Sequence, residues 1–433
     1  QAIWARGAKA RACSPPAPPR AAADAAGCPA AAAAAFELRA PGQTPMKTVT
    51  VQGTTGATQF CVPESWEPLR HLGTGAYAAV AAFREPGVND FAVKKVEHVF
   101  SHPVLALRTL REVKLLTHFQ HPNVLGLHRL LVDGPNFRDA YLCLEIMDSD
   151  LHQLIHGSKV RLSDYQVQCL LYQILRGLLC LRVAHVVHRD LKPGNILVEA
   201  GGGAKIADLG LARAIDARDD DHDISMLTEY VVTRYYRAPE VVLTATHYTY
   251  AVDVWSTGCI LGEMLTRRPV FEGKDSLDQI RKIMSVIGTQ SAEEMGWIPN
   301  PSSSWNFVER LNRKEAGGES FQHLMASPGL NPLAVELLKH MLHFHPSRRI
   351  TVQDALVHRY LMSFGAEDDP EVIAAQAVPV MDWSFDRGLC FTEDGRPRGF
   401  DPRLFREAFQ EVCRRAGPRE PGGGGAENPR GGR

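Results

Sequence analysis

The chain of 433 residues has no run of about 18 consecutive apolar residues, so nothing in it reads as a membrane-spanning helix. Its most apolar helical stretch, 169–181, is broken by Gln173 and Arg176. Cysteine is sparse: nine residues, scattered, with no CxxC pair and no His/Cys cluster at zinc spacing. That argues against a disulfide scaffold or a structural zinc site and fits a reduced, intracellular setting. An excess of one charge is also missing. Against 48 basic residues stand 49 acidic ones, a formal net charge of −1, so the global balance points to neither nucleic acid nor an anionic membrane surface. There is no internal repeat. With 45% hydrophobic and 22% charged residues the composition is that of a globular protein, and the length suggests two or three folded units.

The two ends differ from the middle. Residues 1–45 are rich in Ala, Pro and Arg and poor in acids. The chain starts at Gln1 and Met46 offers an initiation site, so 1–45 reads as translated upstream sequence or disorder, with an organelle transit peptide as the other reading. Residues 46–65 read as a lead-in, and 417–433, rich in Gly, Pro and Arg, as a flexible tail. From 66 to 147 short β-type runs dominate, at 69–72, 80–83, 91–96, 125–132 and 140–145. One helical pattern, 104–117, interrupts them with apolar residues at three- and four-residue steps. From 148 to 363 the pattern is mostly helical, with amphipathic stretches at 163–184, 250–265, 277–287 and 332–342. A small β-rich lobe followed by a larger helical lobe predicts an α+β protein with a cleft between the two.

Several segments carry chemistry. Gly73-Thr74-Gly75-Ala76-Tyr77-Ala78-Ala79-Val80 is a partial GxGxxG, with Ala78 where a third glycine is usual. Glycines there let the backbone approach a polyphosphate; by itself the segment reads equally as a hairpin turn. Lys94 ends an apolar strand run and could place one charge on the α- and β-phosphates, or simply snorkel. Glu112, on the predicted helix, could pair with it or sit on a helix surface. The segment 187–195 is far more specific: Asp190, Lys192 two residues on and Asn195 five residues on. Together they offer a carboxylate to orient an attacking hydroxyl, a cation for the γ-phosphate and an oxygen ligand for magnesium, the set that phosphoryl transfer requires. Asp208, after a short apolar strand and before Gly210, could hold the same metal or merely end a strand. Ala238-Pro239-Glu240 and the Asp253 that opens the helix 250–265 read as structural.

Taken in order, these segments resemble the eukaryotic protein kinases over residues 66–363. The resemblance implies a bilobal fold and Mg-ATP as the phosphoryl donor. It makes Asp190 the catalytic base, Lys192 and Lys94 phosphate contacts, Glu112 the partner of Lys94, and Asn195 and Asp208 the magnesium ligands. It lays the nucleotide against Leu72, Gly73, Thr74, Gly75, Ala76, Tyr77, Val80, Ala92, Lys94 and Leu197. Leu144 aligns with the gatekeeper and Glu145 to Met147 with the hinge. Leu209 stands where a Phe is usual.

Thr228-Glu229-Tyr230, shortly before Tyr235-Tyr236-Arg237-Ala238-Pro239-Glu240, is similar to the dual-phosphorylation lip of the mitogen-activated protein kinases. So are Arg108 to Glu112, and Phe271 to Lys274, which lead into Leu277 to Gln279 and an insert reaching about Glu319. The segments 381–385 and 402–413 resemble that family's C-terminal extension, placed at 364–416 and expected to pack back on the core. The implied activity is transfer of the γ-phosphoryl to Ser or Thr followed by Pro. Phospho-Thr228 would be read by Arg111, Arg189 and Arg213, and phospho-Tyr230 by Arg234 and Arg237. Implied partners are an upstream dual-specificity kinase, protein substrates, docking-motif partners and phosphatases, in the cytoplasm and also the nucleus, with no nucleic acid or membrane. Glu367-Asp368-Asp369 lies near the family's acidic docking patch, with Ala366 at one position where an acid is expected. The acidic stretch 219–223 in the lip reads as a solvated loop. The rival readings are a cyclin-dependent-type kinase and a pseudokinase scaffold.

Overall fold

The computed structural model describes residues 45–53, 56–75, 78–157, 161–215, 234–244, 249–314, 329–392, 396 and 398–415. Thr228, Tyr230, Ala76, Tyr77 and the acidic stretch 219–223 lie outside these, as do nearly all of 1–45 and all of 417–433. The described residues form two compact units. The smaller draws on 45–106, 127–146 and 399–415, the larger on 107–126 and 147–398.

The smaller unit is built on five antiparallel strands: β3 (Glu67–Thr74), β4 (Ala78–Arg84), β5 (Phe91–Val96), β6 (Leu127–Val132) and β7 (Ala140–Glu145). Their spatial order is β3-β4-β5-β7-β6. Residues 46–63, expected only as a lead-in, form a further hairpin, β1 (Met46–Gly53) with β2 (Gly56–Pro63). Its apolar side chains alternate as a half-buried strand pair requires. Phe60 and Val62 are fully buried and join Val51 to the core made by Trp66, Phe83, Phe91 and Tyr141. Phe60 and Trp66 meet Phe83 and Phe91, respectively, edge-on at 5.5 and 4.7 Å between centroids. Two polar bonds pin the hairpin to the sheet. Lys95 Nζ donates to the Gln59 carbonyl at 2.8 Å, and the Cys61 amide donates to the Tyr141 hydroxyl at 3.2 Å.

At the other end of the chain a helix, Pro402–Arg415, presents Phe405, Phe409 and Val412 on one face, the four- and three-residue steps of an amphipathic helix. Phe409 packs edge-on against Phe100 and Phe137, and Arg406 lies over the Phe100 ring at 4.6 Å. This part of the C-terminal segment therefore belongs to the small unit.

The larger unit is mostly helical: α1 (Pro103–His118, counted here from Leu107), α2 (Leu151–His156), α3 (Asp164–Val183), α4 (Pro239–Leu243), α5 (Ala251–Thr266), α6 (Ser276–Ile287), α7 (Ser303–Lys314), α8 (Pro332–Met341), α9 (Val352–Leu356), α10 (Pro370–Ala375) and α11 (Ser384–Cys390). A capping box of Ser163 and Gln166 starts α3. Helix α5 is buried from Val252 to Leu265, as an all-round apolar helix must be. Gly177 of α3 marks a close approach, since a Cβ there would lie 2.6 Å from the Asn123 carbonyl oxygen. No helix among the described residues is long and apolar enough to cross a membrane. A small β-rich unit and a larger helical one match the expected fold class.

Candidate active site

In the larger unit, after the two-residue β8 (Ser149–Asp150), a short strand, β9 (Val186–Val187), leads into the loop 188–195, and a 3-10 turn at Pro193–Asn195 leads out of it into β10 (Ile196–Val198). β10 pairs with β11 (Ala204–Ile206), Ile196 opposite Ile206, and the chain then reaches Asp208. This hairpin is why residues distant in sequence become neighbours: the Ala207 amide donates to the Asn195 carbonyl at 2.9 Å. Asp208 itself adopts a left-handed backbone, φ 60°, which Asp tolerates better than most residues, and its side chain is exposed.

Asp190 is nearly buried and held from two sides. Lys192 Nζ meets its Oδ2 at 2.8 Å. Asn195 Nδ2 donates to its carbonyl at 2.8 Å and to Oδ2 at 3.1 Å. Asn195 thus turns its amide nitrogen to Asp190, which leaves its Oδ1 as the oxygen able to ligate a cation. With the carboxylate of Asp208 this is an all-oxygen donor pair, the kind that suits magnesium rather than a thiolate- or imidazole-bound metal.

The loop is fixed by residues that sequence reasoning set aside as structural or did not weigh. Asp253, at the start of α5 and 4% exposed, accepts the His188 amide at 2.7 Å and the Arg189 amide at 2.9 Å. Burial pushes its carboxyl above the ordinary aspartate range, while His188 and the two backbone bonds pull the other way. Arg189 sits at φ 70°, a strained conformation for a side-chain-bearing residue, of order 1–3 kcal/mol. The Asp253 clamp holds it there. The His188 ring is fully buried, accepts the Asp190 amide at Nδ1 (3.3 Å) and bonds the Ala207 carbonyl through Nε2 (3.0 Å). One imidazole therefore ties the Asp190 loop to the strand that delivers Asp208. The signal for it was the His immediately before Arg-Asp; only the fold shows what the ring touches.

The arginines divide. Arg213 lies on β12 (Arg213–Ala214), which pairs with β9 so that Arg213 stands opposite Val187, two residues before Arg189. It is buried and donates to the Ala212 carbonyl. Arg111, fully buried on α1, makes a two-point fork with Asp386 of α11: Nε to Oδ1 at 2.9 Å and Nη2 to Oδ2 at 2.6 Å. Nothing in the sequence reading singled out Asp386. Arg234 donates to the Lys274 carbonyl at 2.7 Å, and the Arg237 amide closes a turn on the Arg234 carbonyl. Between them Tyr236 has its hydroxyl on Glu263 at 2.6 Å, and its burial first, then the Glu263 carboxylate, raises its pKa. Glu263 also meets His156 Nε2 at 2.7 Å.

Asp369, the last of the three candidate docking acids, is occupied. It accepts from the Tyr172 hydroxyl (2.8 Å), Arg176 (3.2 Å) and the Glu371 amide (2.8 Å), where it caps α10. Glu367 and Asp368 are exposed, and Ala366 is buried.

In the smaller unit, Gly73 and Thr74 end β3 opposite Val80 and Ala79 of β4, and the Gly75 amide donates to the Ala78 carbonyl at 2.7 Å, closing the turn. Val80 pairs with Lys94, Ala92 with Leu144, and Lys94 with Leu142. Residues two apart on a strand share a face, so Val80, Ala92, Lys94 and Leu144 lie on one face of the sheet. Leu72 falls in a register irregularity between His71 and Gly73. Glu145 ends β7, half-buried like Met147 and Leu197 of the larger unit. Glu112 is buried on α1.

A family model, the protein kinase domain, matches residues 66–361. Mitogen-activated protein kinase 14 of Arabidopsis thaliana is 41% identical over 335 residues, which cover 77% of this chain and 88% of that protein. The chain belongs to the mitogen-activated protein kinase family. Similar figures hold for mitogen-activated protein kinase 2 of the same plant, 43% identical over 307 residues, 70% of this chain and 79% of that one. Mitogen-activated protein kinase homolog 1 of Petunia hybrida is 42% identical over 305 residues, 70% and 77%. Membership makes the chain a proline-directed serine/threonine protein kinase that uses ATP with a divalent metal and works in a cascade, between an upstream kinase and protein substrates.

Proposed function

We propose that this kinase moves the γ-phosphoryl of Mg-ATP to the hydroxyl of a Ser or Thr followed by Pro, with the residues of the loop 188–195 and Asp208 as its chemical centre. The observation that carries this is the bonded set Asp190, Lys192 and Asn195 beside Asp208. Asp190 would accept or orient the proton of the attacking hydroxyl, and Lys192 would meet the γ-phosphate. Asn195 Oδ1 and Asp208 would hold the ion. Magnesium bound there neutralises charge on the phosphates. In the smaller unit Lys94 and the Gly73–Gly75 turn would contact phosphates, while Leu72, Val80 and Ala92 would line the adenine, with Leu144 as the gatekeeper. Glu145, Met147, Leu197 and Glu112 take the family's hinge, floor and lysine-partner roles in this reading.

Activation would follow phosphorylation of Thr228 and Tyr230 by a dual-specificity upstream kinase. Arg189 and Arg213, drawn together by the β9–β12 pair, are the support for a phosphate site. Arg111 would join them only by exchanging Asp386 for the phosphate, and Arg234 and Arg237 would take phospho-Tyr230. Docking of basic peptides would rest on Glu367 and Asp368, since Asp369 is engaged. Phosphatases that reset the lip, and a cytoplasmic and nuclear distribution, complete the proposal; imaging a tagged chain checks the latter.

The decisive experiment is phosphorylation of a peptide library by the lip-phosphorylated protein. Ser/Thr-Pro peptides should dominate, and a library with no proline preference would overturn the specificity. A magnesium-dependent thermal shift with ATP separates this reading from a scaffold with a dead pocket, which would show none. Activity that rises on adding a cyclin would favour the cyclin-dependent type.

A further inference from the structure

Far from the loop 188–195 in sequence, the larger unit gathers three metal-capable side chains that the kinase reaction does not use. Glu336 and His340 stand four residues apart on α8, on the same exposed face. His358 arrives from the turn after α9 and is half-buried. The two imidazole rings lie 6.2 Å apart between centroids, and one donor atom from each of the three residues lies within 4.8 Å of the others. A Glu–His pair at helical spacing is ordinary helix surface; the third donor, brought from a different element, is what turns it into a site. Because His358 belongs to another element, no sequence spacing announced the set.

We propose that Glu336, His340 and His358 bind one divalent transition-metal ion of the zinc class, which fastens α8 to the turn after α9. Two imidazoles and one carboxylate match zinc and its neighbours, not calcium or magnesium, which take oxygen ligands. Three protein donors leave a position for water. Zinc sits about 2.0–2.2 Å from such donors, so the set must close by roughly an ångström. The exposed Glu336 and His340 can make that movement. His358 is the fixed member: its amide bonds the Ala355 carbonyl at 3.3 Å, and its Nδ1 accepts the Tyr360 amide at 3.2 Å. Metal on that ring would give up the second of these contacts.

The test uses the full chain with excess magnesium present, cobalt as a coloured probe and zinc as competitor. One equivalent of cobalt should bind with a visible absorption band that zinc abolishes, and zinc should raise the melting temperature. His340→Ala and Glu336→Gln, both at exposed positions, should weaken binding by more than the roughly tenfold that loss of an outer partner costs, and should remove the zinc-induced shift. His358→Ala should do the same; if it fails to fold, the two surface variants decide. No zinc-displaceable cobalt band, or equal binding in wild type and both surface variants, overturns the site.

Discussion

The loop that carries Asp190 and the C-terminal stretch that carries Asp369 and Asp386 both rest on partly or fully buried carboxylates, but the carboxylates hold different things. Asp253 accepts two backbone amides of the loop. Asp386 accepts a side chain, the Arg111 fork, and Asp369 accepts the Tyr172–Arg176 pair besides the one amide of the helix it caps. An amide held by a buried carboxylate cannot be moved without redrawing the backbone, so the loop is built for one geometry. A guanidinium fork can change partners, because phosphate offers it the same two-point match that a carboxylate does. The first arrangement suits chemistry and the second suits a switch. Breaking the first should cost rate, and breaking the second should cost stability.

The largest effect should come from Asp190→Asn. We predict a fall in turnover of about 10²–10⁴-fold with ATP affinity unchanged within a few-fold. Near-normal turnover would remove Asp190 from the role of base.

Next, Asp253→Asn should keep the fold, by circular dichroism, while turnover drops by roughly 10²-fold, because a small displacement of a catalytic group is enough for such a loss. If the only change were in melting temperature, the loop would not depend on this clamp.

Asp386→Ala tests the other side of the comparison. Leaving Arg111 without its carboxylate should lower the unfolding free energy by about 3 kcal/mol, the lower end for breaking a buried pair, with ATP affinity unaffected. The deficit should shrink once Thr228 is phosphorylated, since the phosphate replaces the lost charge. An equal deficit before and after phosphorylation would mean that Arg111 does not change partners. Thr228→Ala and Tyr230→Phe should each abolish most of the rise in activity on treatment with an upstream kinase; equal activity in the untreated wild type, the treated wild type and both treated variants would show that the lip is not the switch.

A smaller effect concerns His121, which lies in the larger unit near Arg176 and Asp369. Burial first, then the charge of Arg176, lowers its pKa to about 4, against an ordinary value of 6.5. The unfolded chain therefore binds the proton more readily than the folded one. Stability from this residue is complete above about pH 6.5 and is lost as pH falls toward 4. Urea titrations of wild type and His121→Gln should diverge in that window and run parallel above it. Parallel curves throughout would contradict the assignment. The smallest effect of all is expected for a chain beginning at Met46, which should melt and act like the whole; a large loss in either would make residues 1–45 part of the folded protein.

The sequence by itself determined which candidate groups share the loop 188–195. Asp190, Lys192 and Asn195 fall within six residues, so one loop brings them together whatever surrounds it, and the short β-type runs at 80–83, 91–96 and 140–145 became β4, β5 and β7 with boundaries close to those expected. The hairpin 46–63 was not read, because its apolar residues are few and its core-facing Phe60 and Val62 acquire meaning only against Trp66 and Phe83. The tertiary structure alone decided that Asp253 clamps the loop 64 and 65 residues away, and that Arg111 faces Asp386 across 275 positions. The reason is physical. A motif is legible when its members lie within reach along the chain. A buried charge must find its partner wherever the fold puts one, and no local pattern records which of the 49 carboxylate residues that will be.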